Sequence, residues 1–380
     1  WDWMNQGLRK DVPAPYRKSS GKDKFIAYGG WWEQPKGIHH DGNFCMNGLI
    51  DAEQNPHPGL FAIKQHYKFV DVEVVDLEKG TFRITNRYYF VPLDQKLEGK
   101  WLLKKNGQTI KTGLIDDLNI QPGESKKVVV DLPSLPAKDG IEYFVDFKFM
   151  TPENTFFGPK GYEMACEQFR LPLSSYREQN MLQAEVPDYH HERRFMMVVH
   201  SEDFSLDIHK QQGRIVSYYY KGEQLLKQGP KPDFWRAPTD NDRGARRNGQ
   251  KGIPLLDIWK TAGNVLIEEM EVTELENALQ IRMVGELVTI ESDITLEYLV
   301  YGNGTIDVSV DYTPAGDNEL PGFMPRFGTE MVVSPGYDNL VWYGPGPNPT
   351  YVDRNLEPVG VYHSTVSDEW VEYSKPQENG

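Results

Sequence analysis

The feature that most constrains the fold is the period of the hydrophobic pattern, which changes to two at about residue 68. In the stretch 143–149 one face is apolar, while Asp146 and Lys148 point the other way. The apolar face consists of Tyr143, Val145, Phe147 and Phe149. Because successive side chains of a strand face opposite sides of a sheet, this alternation predicts a half-buried strand. The same pattern recurs at residues 82–85, 127–130, 204–208, 279–283 and 306–312.

Turn residues separate these segments. An Asn-Gly pair at 106–107 and a Gln-Pro-Gly-Glu sequence at 121–124 are both typical of tight turns. A Gly-Asn-Gly sequence at 302–304 predicts a hairpin that pairs residues 294–301 with 306–312. The chain is therefore expected to be mainly β, in sheets joined by short connections.

The pattern predicts a division into four parts. Residues 1–67 contain one strand, a long Gly-rich loop and a helix, and residues 68–173 are expected to form an immunoglobulin-like sandwich. Residues 174–192 are polar and without a pattern, which is typical of a connection between domains. Residues 193–380 contain almost no helical pattern and predict a large β-sandwich.

The first part does not read as a self-contained domain. A helix is predicted to begin at Pro58, because proline is tolerated in the first turn and because Leu60, Ile63 and Tyr67 fall on one face. Strand, loop and helix together make a βα unit. One such unit cannot bury its own core, so we expect it to belong to something larger.

Composition excludes several classes of protein. The net charge of −15 disfavours binding to nucleic acids and to anionic membranes, which would both repel the chain. The longest apolar run, residues 195–199, is too short to cross a bilayer. Cys45 and Cys166 form neither a disulfide framework nor a metal-knuckle spacing. A bridge between the two is one alternative, and two buried free thiols are the expected one.

The common catalytic signatures are absent from the sequence. There is no HExxH motif, no Walker loop and no Gly-x-Ser-x-Gly elbow. The Gly-Pro-Gly-Pro sequence at 344–347 has prolines where a dinucleotide loop needs free N–H groups. The chain carries 56 acidic residues, and their spacing alone selects no catalytic pair.

Several short motifs together resemble one family. The sequence is similar to the lac-operon-type β-galactosidases of glycoside hydrolase family 2, from the last strand of their barrel onward. The motifs occur in the same order as in that family, across nearly the whole chain. The matching pieces are Trp1-Asp2-Trp3, Ala27-Tyr28-Gly29-Gly30, Phe44-Cys45-Met46-Asn47-Gly48-Leu49, Pro56-His57-Pro58, Arg236-Ala237-Pro238-Thr239-Asp240-Asn241-Asp242, Trp342-Tyr343-Gly344-Pro345-Gly346-Pro347 with Tyr351 and Asp353-Arg354, and Pro376-Gln377-Glu378-Asn379-Gly380.

The resemblance implies an architecture. Residues 1–67 would be the last βα unit of a (β/α)₈ barrel, followed by an immunoglobulin-like domain and a galactose-mutarotase-like sandwich that continues past Gly380. Both ends of the chain are accordingly expected to be cut from a longer enzyme. Active sites of such barrels lie at the C-terminal ends of the strands, so the loop between Trp1 and Pro58 would line the sugar pocket.

The resemblance also assigns roles to residues of that loop. Trp1 matches a tryptophan of the galactose pocket, although a barrel-core tryptophan is the commoner interpretation of such a residue by itself. Phe44, through its carbonyl, and Asn47, through its side-chain oxygen, match ligands of a sodium ion that also takes the galactose 6-hydroxyl. These are oxygen donors, as a hard cation requires. Spacing alone favours a simple turn at Asn47-Gly48.

One position departs from the family. His40 stands where the family often has an asparagine that serves a magnesium ion. A neutral imidazole is a poor magnesium ligand beside oxygen donors. The resemblance therefore supports the magnesium site less well than the sodium site.

The implied reaction is retaining hydrolysis of terminal β-galactosides such as lactose through a covalent glycosyl-enzyme. The family's two glutamates lie on earlier strands, so this chain is expected to supply pocket wall, cation site and scaffold and to contain no catalytic residue. The full enzyme is expected to be a homo-oligomer in the cytoplasm or periplasm of a bacterium.

Two alternatives remain open at this point. The first is a β-glucuronidase or β-mannosidase of the same family, in which a uronate would require basic groups at its carboxylate. The second is a non-catalytic carbohydrate-binding protein built from β-sandwiches, which the 12% aromatic content would suit. The βα unit at residues 1–67 counts against this second alternative.

Overall fold

The protein is seen in a computed structural model. It describes residues 2–12, 23–27, 48–138, 140–173, 185–236, 238, 242, 244, 246–247, 250–252, 256–314, 324–351 and 354–370. The chain divides into two compact units. Unit 1 combines residues 1–178 with 339–378, and unit 2 spans residues 179–338.

Unit 1 contains the predicted helix, but the described part of residues 1–67 has two short antiparallel strands ahead of it and not the single predicted strand. The first of these strands exposes all four of its side chains, so it has no apolar face that the sequence pattern could show. The helix α1 is Pro58–His66, and it begins with the predicted proline. The strands of the main segment are β1 (Leu8–Asp11), β2 (Lys24–Ala27), β3 (Val70–Asp76), β4 (Thr81–Asn86), β5 (Glu98–Lys105), β6 (Gln108–Leu114), β7 (Ser125–Val129), β8 (Tyr143–Met150) and β9 (Glu163–Arg170).

Two antiparallel sheets of unit 1, in the strand orders β3-β4-β7 and β6-β5-β8-β9, face each other as a sandwich. Their inner faces share one core, in which the rings of Phe82 and Phe147 lie 4.7 Å apart between centroids. The predicted turn between β5 and β6 is confirmed, since Asn106 has φ 45° and Gly107 has φ 79°. The predicted strand at 143–149 is therefore confirmed, but its predicted half-burial is wrong, because Phe144 and Asp146 on the other face are buried as well.

Unit 2 is a second, larger sandwich. Its strands are β10 (Asp188–Glu192), β11 (Met196–His200), β12 (Phe204–His209), β13 (Arg214–Tyr220), β14 (Glu223–Asp233), β15 (Arg246–Arg247), β16 (Gln250–Lys251), β17 (Val265–Glu274), β18 (Ala278–Leu287), β19 (Ser292–Tyr301), β20 (Ile306–Thr313) and β21 (Gly328–Val333). One sheet has the order β10-β11-β12-β13-β14-β21, and the other has the order β17-β18-β19-β20.

The apolar faces of these two sheets form the core of unit 2, with residues such as Leu206 and Met283 fully buried. The predicted hairpin is confirmed, because β19 and β20 pair antiparallel from Val300↔Ile306 to Asp293↔Thr313. In the core, Tyr298 donates a hydrogen bond of 2.8 Å to the carbonyl of Gly213, and burial raises the pKa of this tyrosine.

One difference concerns the predicted connection at 174–192. Residues 188–192 form the edge strand β10, which pairs with β11. All five of its side chains are exposed, so the strand has no apolar face that a periodic pattern could show. Residues 174–184 lie outside the described part of the chain.

A final hairpin pairs β22 (Asn339–Pro345) with β23 (Val359–Thr365) and groups with unit 1. The sequence pattern assigns this hairpin to the part 193–380, and the predicted domain boundaries remain a prediction. Of the predicted thiols, Cys166 is free and half-buried, and burial, followed by the charge of Glu163, raises the pKa of Cys166. Cys45 lies outside the described residues.

Candidate functional site

The described part of the predicted site consists of two segments that run side by side. Met4 and Ile50 form a parallel β-bridge. The N–H of Asn5 donates to the carbonyl of Ile50 at 2.8 Å, and the N–H of Ile50 donates to the carbonyl of Trp3 at 3.1 Å. The residues that follow Trp1 are thereby joined to the residues that follow Asn47.

The side chain of Asn5 adds a buried hydrogen bond to the same contact. This residue is only 1% exposed, and its Oδ1 accepts a hydrogen bond of 2.7 Å from the N–H of Gly48. Its buried Nδ2 has no hydrogen-bond partner in the structure. Burying an unpaired amide donor is costly, so a polar group of a ligand or of further protein would be favoured there.

Glycine is required at position 48 because the two segments approach so closely. A Cβ at Gly48 would lie 2.3 Å from the backbone nitrogen of Asn5 and 2.5 Å from the carbonyl carbon of Met4. Real carbon atoms do not approach backbone atoms at such distances. Gly48 therefore permits a close approach to the backbone of Met4 and Asn5.

His57 binds the carbonyl group of Gly48, whereas Asn5 binds its N–H. Its Nδ1 lies 2.9 Å from the carbonyl oxygen of Gly48, and it must donate because a carbonyl can only accept. The backbone N–H of His57 donates to the carbonyl of Leu49 at 2.9 Å. The Pro56-His57-Pro58 motif thus joins the segment 48–50 to the start of helix α1.

Asp51 stabilises the turn of residues 51–55, which lies between the segment 48–50 and helix α1. Its carboxylate accepts hydrogen bonds of 2.8 Å from the N–H groups of Glu53 and Asn55 and of 2.9 Å from the Asn55 side chain. Partial burial raises the pKa of Asp51, but these hydrogen bonds outweigh it and lower the pKa below its ordinary value. An ion pair of 2.7 Å between Arg9 and Glu53 ties the turn to strand β1.

Asp2, in the same segment as Asn5, carries a hydrogen-bond acceptor. Its Oδ2 is buried and has no hydrogen-bond partner in the structure, whereas the neighbouring Trp3 is 58% exposed. An unpaired carboxylate oxygen and the unpaired Asn5 amide thus lie within the short segment 2–5. A hydroxyl-rich ligand can satisfy both kinds of group, because each hydroxyl donates and accepts.

The four site residues predicted by resemblance, Trp1, His40, Phe44 and Asn47, lie outside the described residues. Among the described residues no group of three or more His, Cys, Asp or Glu side chains could hold a metal ion. The structure therefore shows the supports of the predicted loop, namely Asn5, Gly48 and His57. Gly48 and His57 belong to the quoted motifs, whereas no sequence pattern indicates the contact between Asn5 and Gly48.

Helix α1 contributes little to any core. None of its residues is buried, and Phe61 on its surface is 39% exposed. It is fixed to the sandwich mainly by polar contacts, such as the hydrogen bond of 2.8 Å from Gln65 to the sulfur of Cys166. The described structure covers the apolar residues Leu60 and Ile63 only in part. Such incomplete burial is typical of one βα unit of a larger barrel.

In unit 2 the motif of residues 236–242 is closed by an ion pair. The guanidinium of Arg236 makes two hydrogen bonds to the carboxylate of Asp242, at 2.9 and 3.2 Å, and Asp242 is only 4% exposed. The Nε of Arg236 donates to the carbonyl of Pro325 at 3.1 Å. Such a bidentate pair fixes the two ends of the motif relative to each other.

Three family descriptions match successive parts of the chain. "Glycosyl hydrolases family 2, TIM barrel domain" matches residues 1–72, "Beta-galactosidase, domain 4" matches residues 82–172, and "Beta galactosidase small chain" matches residues 200–380. No helix of the described structure has both the length and the apolar character needed to cross a membrane.

Among curated proteins, the chain is similar to several β-galactosidases. It is 29% identical over 368 residues to one from Clostridium acetobutylicum, which covers 96% of this chain and 38% of that protein. It is 26% identical over 386 residues to one from Priestia megaterium, which covers 100% of this chain and 35% of that protein. The chain thus spans roughly a third of the length of these relatives.

A further β-galactosidase, from Lactobacillus delbrueckii subsp. bulgaricus, is 28% identical over 391 residues, which cover 100% of this chain and 35% of that protein. Among solved structures, an endo-arabinase from Bacteroides thetaiotaomicron covers 81% of this chain and 95% of its own, with 9% identity and a TM-score of 0.11. A score this low does not indicate a shared fold.

Proposed function

We propose that the chain is part of a retaining β-galactosidase of glycoside hydrolase family 2, to which it supplies pocket wall, cation site and scaffold. Three family descriptions and relatives along the whole chain support membership. In the proposed reaction, two glutamates from residues that precede this chain in the full enzyme cleave terminal β-galactosides such as lactose through a covalent intermediate.

The observation that carries the proposal is the clamp between residues 2–5 and 48–50. Asn5 and Gly48 are joined by a hydrogen bond of 2.7 Å, and backbone hydrogen bonds flank it. Trp1 and Asn47 directly adjoin these segments in sequence. Since consecutive Cα atoms lie about 3.8 Å apart, the clamp supports a shared pocket for the two residues.

A sodium ion fits the chemistry of the proposed donors. The Phe44 carbonyl and the Asn47 side-chain oxygen are neutral oxygen ligands, which suit a hard cation. When bound, the ion would offer its charge to the 6-hydroxyl of galactose. Magnesium at His40 remains a weaker proposal, since imidazole does not compete well with oxygen donors for that ion.

Within the pocket, this chain's residues would bind and orient the sugar. Trp1 would cover the C–H face of galactose with its indole ring. The unpaired Oδ2 of Asp2 and Nδ2 of Asn5 offer an acceptor and a donor for hydroxyls or for further protein groups. Orienting the sugar in this way lowers the entropic cost of reaching the transition state.

The alternatives are less well supported. The curated relatives reported above are named as β-galactosidases, which favours galactose over glucuronate or mannose. A free-standing carbohydrate-binding protein would not need residues 1–72 to match a barrel domain. The aromatic content alone therefore does not favour a separate binding module.

The test is an activity assay on the full-length enzyme. We expect kcat/KM for a β-galactoside to exceed that for the matching β-glucuronide and β-mannoside by about 100-fold or more, as sites built around a substrate hydroxyl discriminate strongly. Replacing sodium by an organic cation at equal ionic strength should raise KM. Preferred turnover of the glucuronide or mannoside would overturn the choice of sugar.

A further inference from the structure

A cleft of about 620 Å³ lies in unit 1 beside the end of helix α1, and we call it the aromatic cleft. Four of the residues that line it are aromatic, namely Tyr67, Phe69, Tyr88 and Tyr89. Tyr89 is 79% exposed, and Phe90 next to it is 92% exposed. Large rings that are grouped on a surface and held in water are typical of a place that binds something.

The rings of the aromatic cleft are held in fixed positions. The buried side chain of Asn86 donates hydrogen bonds of 2.9 and 2.8 Å to the carbonyls of Val91 and Ile120, and its Oδ1 accepts one of 2.8 Å from the N–H of Tyr88. The rings of Phe69 and Tyr88 stack with their centroids 4.8 Å apart. Because the segment is ordered before a ligand arrives, binding costs less conformational entropy.

The charges at the aromatic cleft are already paired. Arg87 binds the carboxylate of Asp71 through its Nε, and Lys68 forms an ion pair with Glu167. None of the described residues that line the cleft is acidic. An ionised ligand therefore gains little here, whereas the Nη groups of Arg87 remain able to donate to the oxygens of a neutral, hydroxyl-rich ligand.

A second cleft, of about 320 Å³, extends the first. The two clefts share four lining residues, among them Phe69 and Tyr88. The second cleft adds the rings of Phe157 and Tyr162, which pack edge to face with centroids 6.0 Å apart. A row of rings along two joined clefts suits a chain of several sugars, because each pyranose ring can lay its apolar C–H face on an aromatic ring.

We propose that the two joined clefts form a non-catalytic binding site for chains of β-linked galactose. The proposal rests on the proposed function for its choice of sugar. The exposed rings would cover the C–H faces of successive sugars, and Arg87 would donate hydrogen bonds to their hydroxyls. A chain that is held on the enzyme in this way meets the pocket at a raised effective concentration.

The experiment compares the migration of the full-length enzyme in native gels with and without soluble β-1,4-galactan. The galactan is expected to slow the wild-type enzyme. Tyr89→Ala removes an exposed ring and should raise the dissociation constant for galactan about tenfold. Tyr89→Phe keeps the ring and should retain most of the retardation. Tyr337→Ala, at an exposed tyrosine of unit 2, is the matched control and should migrate like the wild type.

Turnover of a nitrophenyl β-galactoside tests the proposed function separately. Tyr89→Ala should leave kcat and KM for this small substrate unchanged, while kcat/KM for galactan falls about tenfold. Wild-type migration that galactan does not slow, or retardation that is equal in Tyr89→Ala, would overturn the proposal. A lower melting temperature of Tyr89→Ala together with lower activity on the small substrate would show that further protein covers the rings, and would overturn it as well.

Discussion

The segment 2–66 and the sandwich of residues 70–171 are built in opposite ways. The sandwich closes a continuous core between its two sheets, with residues such as Ile84, Val145 and Phe149 fully buried. The described part of the first segment contains a helix without any buried residue and two buried polar atoms without partners, on Asp2 and Asn5. The sandwich buries its apolar side chains in its own core, whereas the first segment has polar atoms that a ligand or further protein could pair with.

This difference agrees with the location of the proposed sugar pocket. Unsatisfied buried polar groups cost stability and are retained at sites that bind something. The scaffold is expected to tolerate changes at the first segment, and the proposed sugar pocket is expected to be sensitive to them. The following experiments test this contrast, from the largest expected effect to the smallest.

Truncation of the sandwich core should have the largest effect on stability. Phe147→Ala should lower the local free energy of unfolding of the sandwich by about 4 kcal/mol, because Phe147 is fully buried. Ile63→Ala on helix α1 should cost about 1 kcal/mol or less in this chain. Hydrogen exchange in β8 under increasing urea measures both, and equal losses would remove the contrast.

Replacement of Gly48 by alanine should affect the pocket most strongly. The new Cβ would lie 2.3 Å from the backbone of Asn5, which must force the two segments apart. We expect kcat/KM of the full-length enzyme to fall roughly 100-fold, because binding groups that are misplaced by about 1 Å can slow a reaction by that factor. Gly59→Ala is the matched control, since its Cβ would make an ordinary contact of 3.5 Å with Leu49. An active Gly48→Ala enzyme would show that the clamp does not position the pocket.

Loss of the Asn5 side chain should have a smaller effect. Asn5→Ala removes the acceptor for the Gly48 N–H, which is worth about 1 kcal/mol, or about fivefold in kcat/KM. Asn5→Asp keeps an acceptor oxygen in place and should recover part of that loss. The sandwich should unfold at the same urea concentration in both variants, and a shift there would point to a purely structural role.

The smallest expected effect concerns pH. Hydrogen bonds hold the pKa of Asp51 below its ordinary value, so its contribution to stability is present above the unfolded-state pKa of about 4 and is lost as pH falls through the folded-state value. Asp51→Asn should therefore flatten the pH dependence of exchange at residues 51–55 below about pH 4. The exposed Asp116→Asn is the control, and an unchanged profile for Asp51→Asn would contradict the assignment.

The sequence predicted those parts of the fold that depend on periodicity and turn chemistry. Helix α1, the strand at 143–150 and the hairpin across Gly304 follow from local patterns, and the structure confirms them. Strand β10 escaped prediction because its pairing with β11 leaves every side chain exposed. A pattern of burial cannot identify a strand that buries nothing.

The contacts that build the site could not be predicted for a different reason. The hydrogen bond between Asn5 and Gly48 joins residues 43 positions apart. Asparagine and glycine are common in loops, so nothing in their neighbourhood marks such partners. The resemblance to a family located the loop, and only the three-dimensional arrangement identified its supports.

The central claim is that the clamp of residues 2–5 and 48–50 belongs to a galactose pocket with a cation beside it. A crystal structure of the full-length enzyme with galactose and sodium tests this most directly. We predict that the indole of Trp1 lies against the sugar ring and that the oxygens of Phe44 and Asn47 bind the ion next to the 6-hydroxyl. Galactose bound elsewhere, with Phe44 and Asn47 remote from it, would contradict the claim.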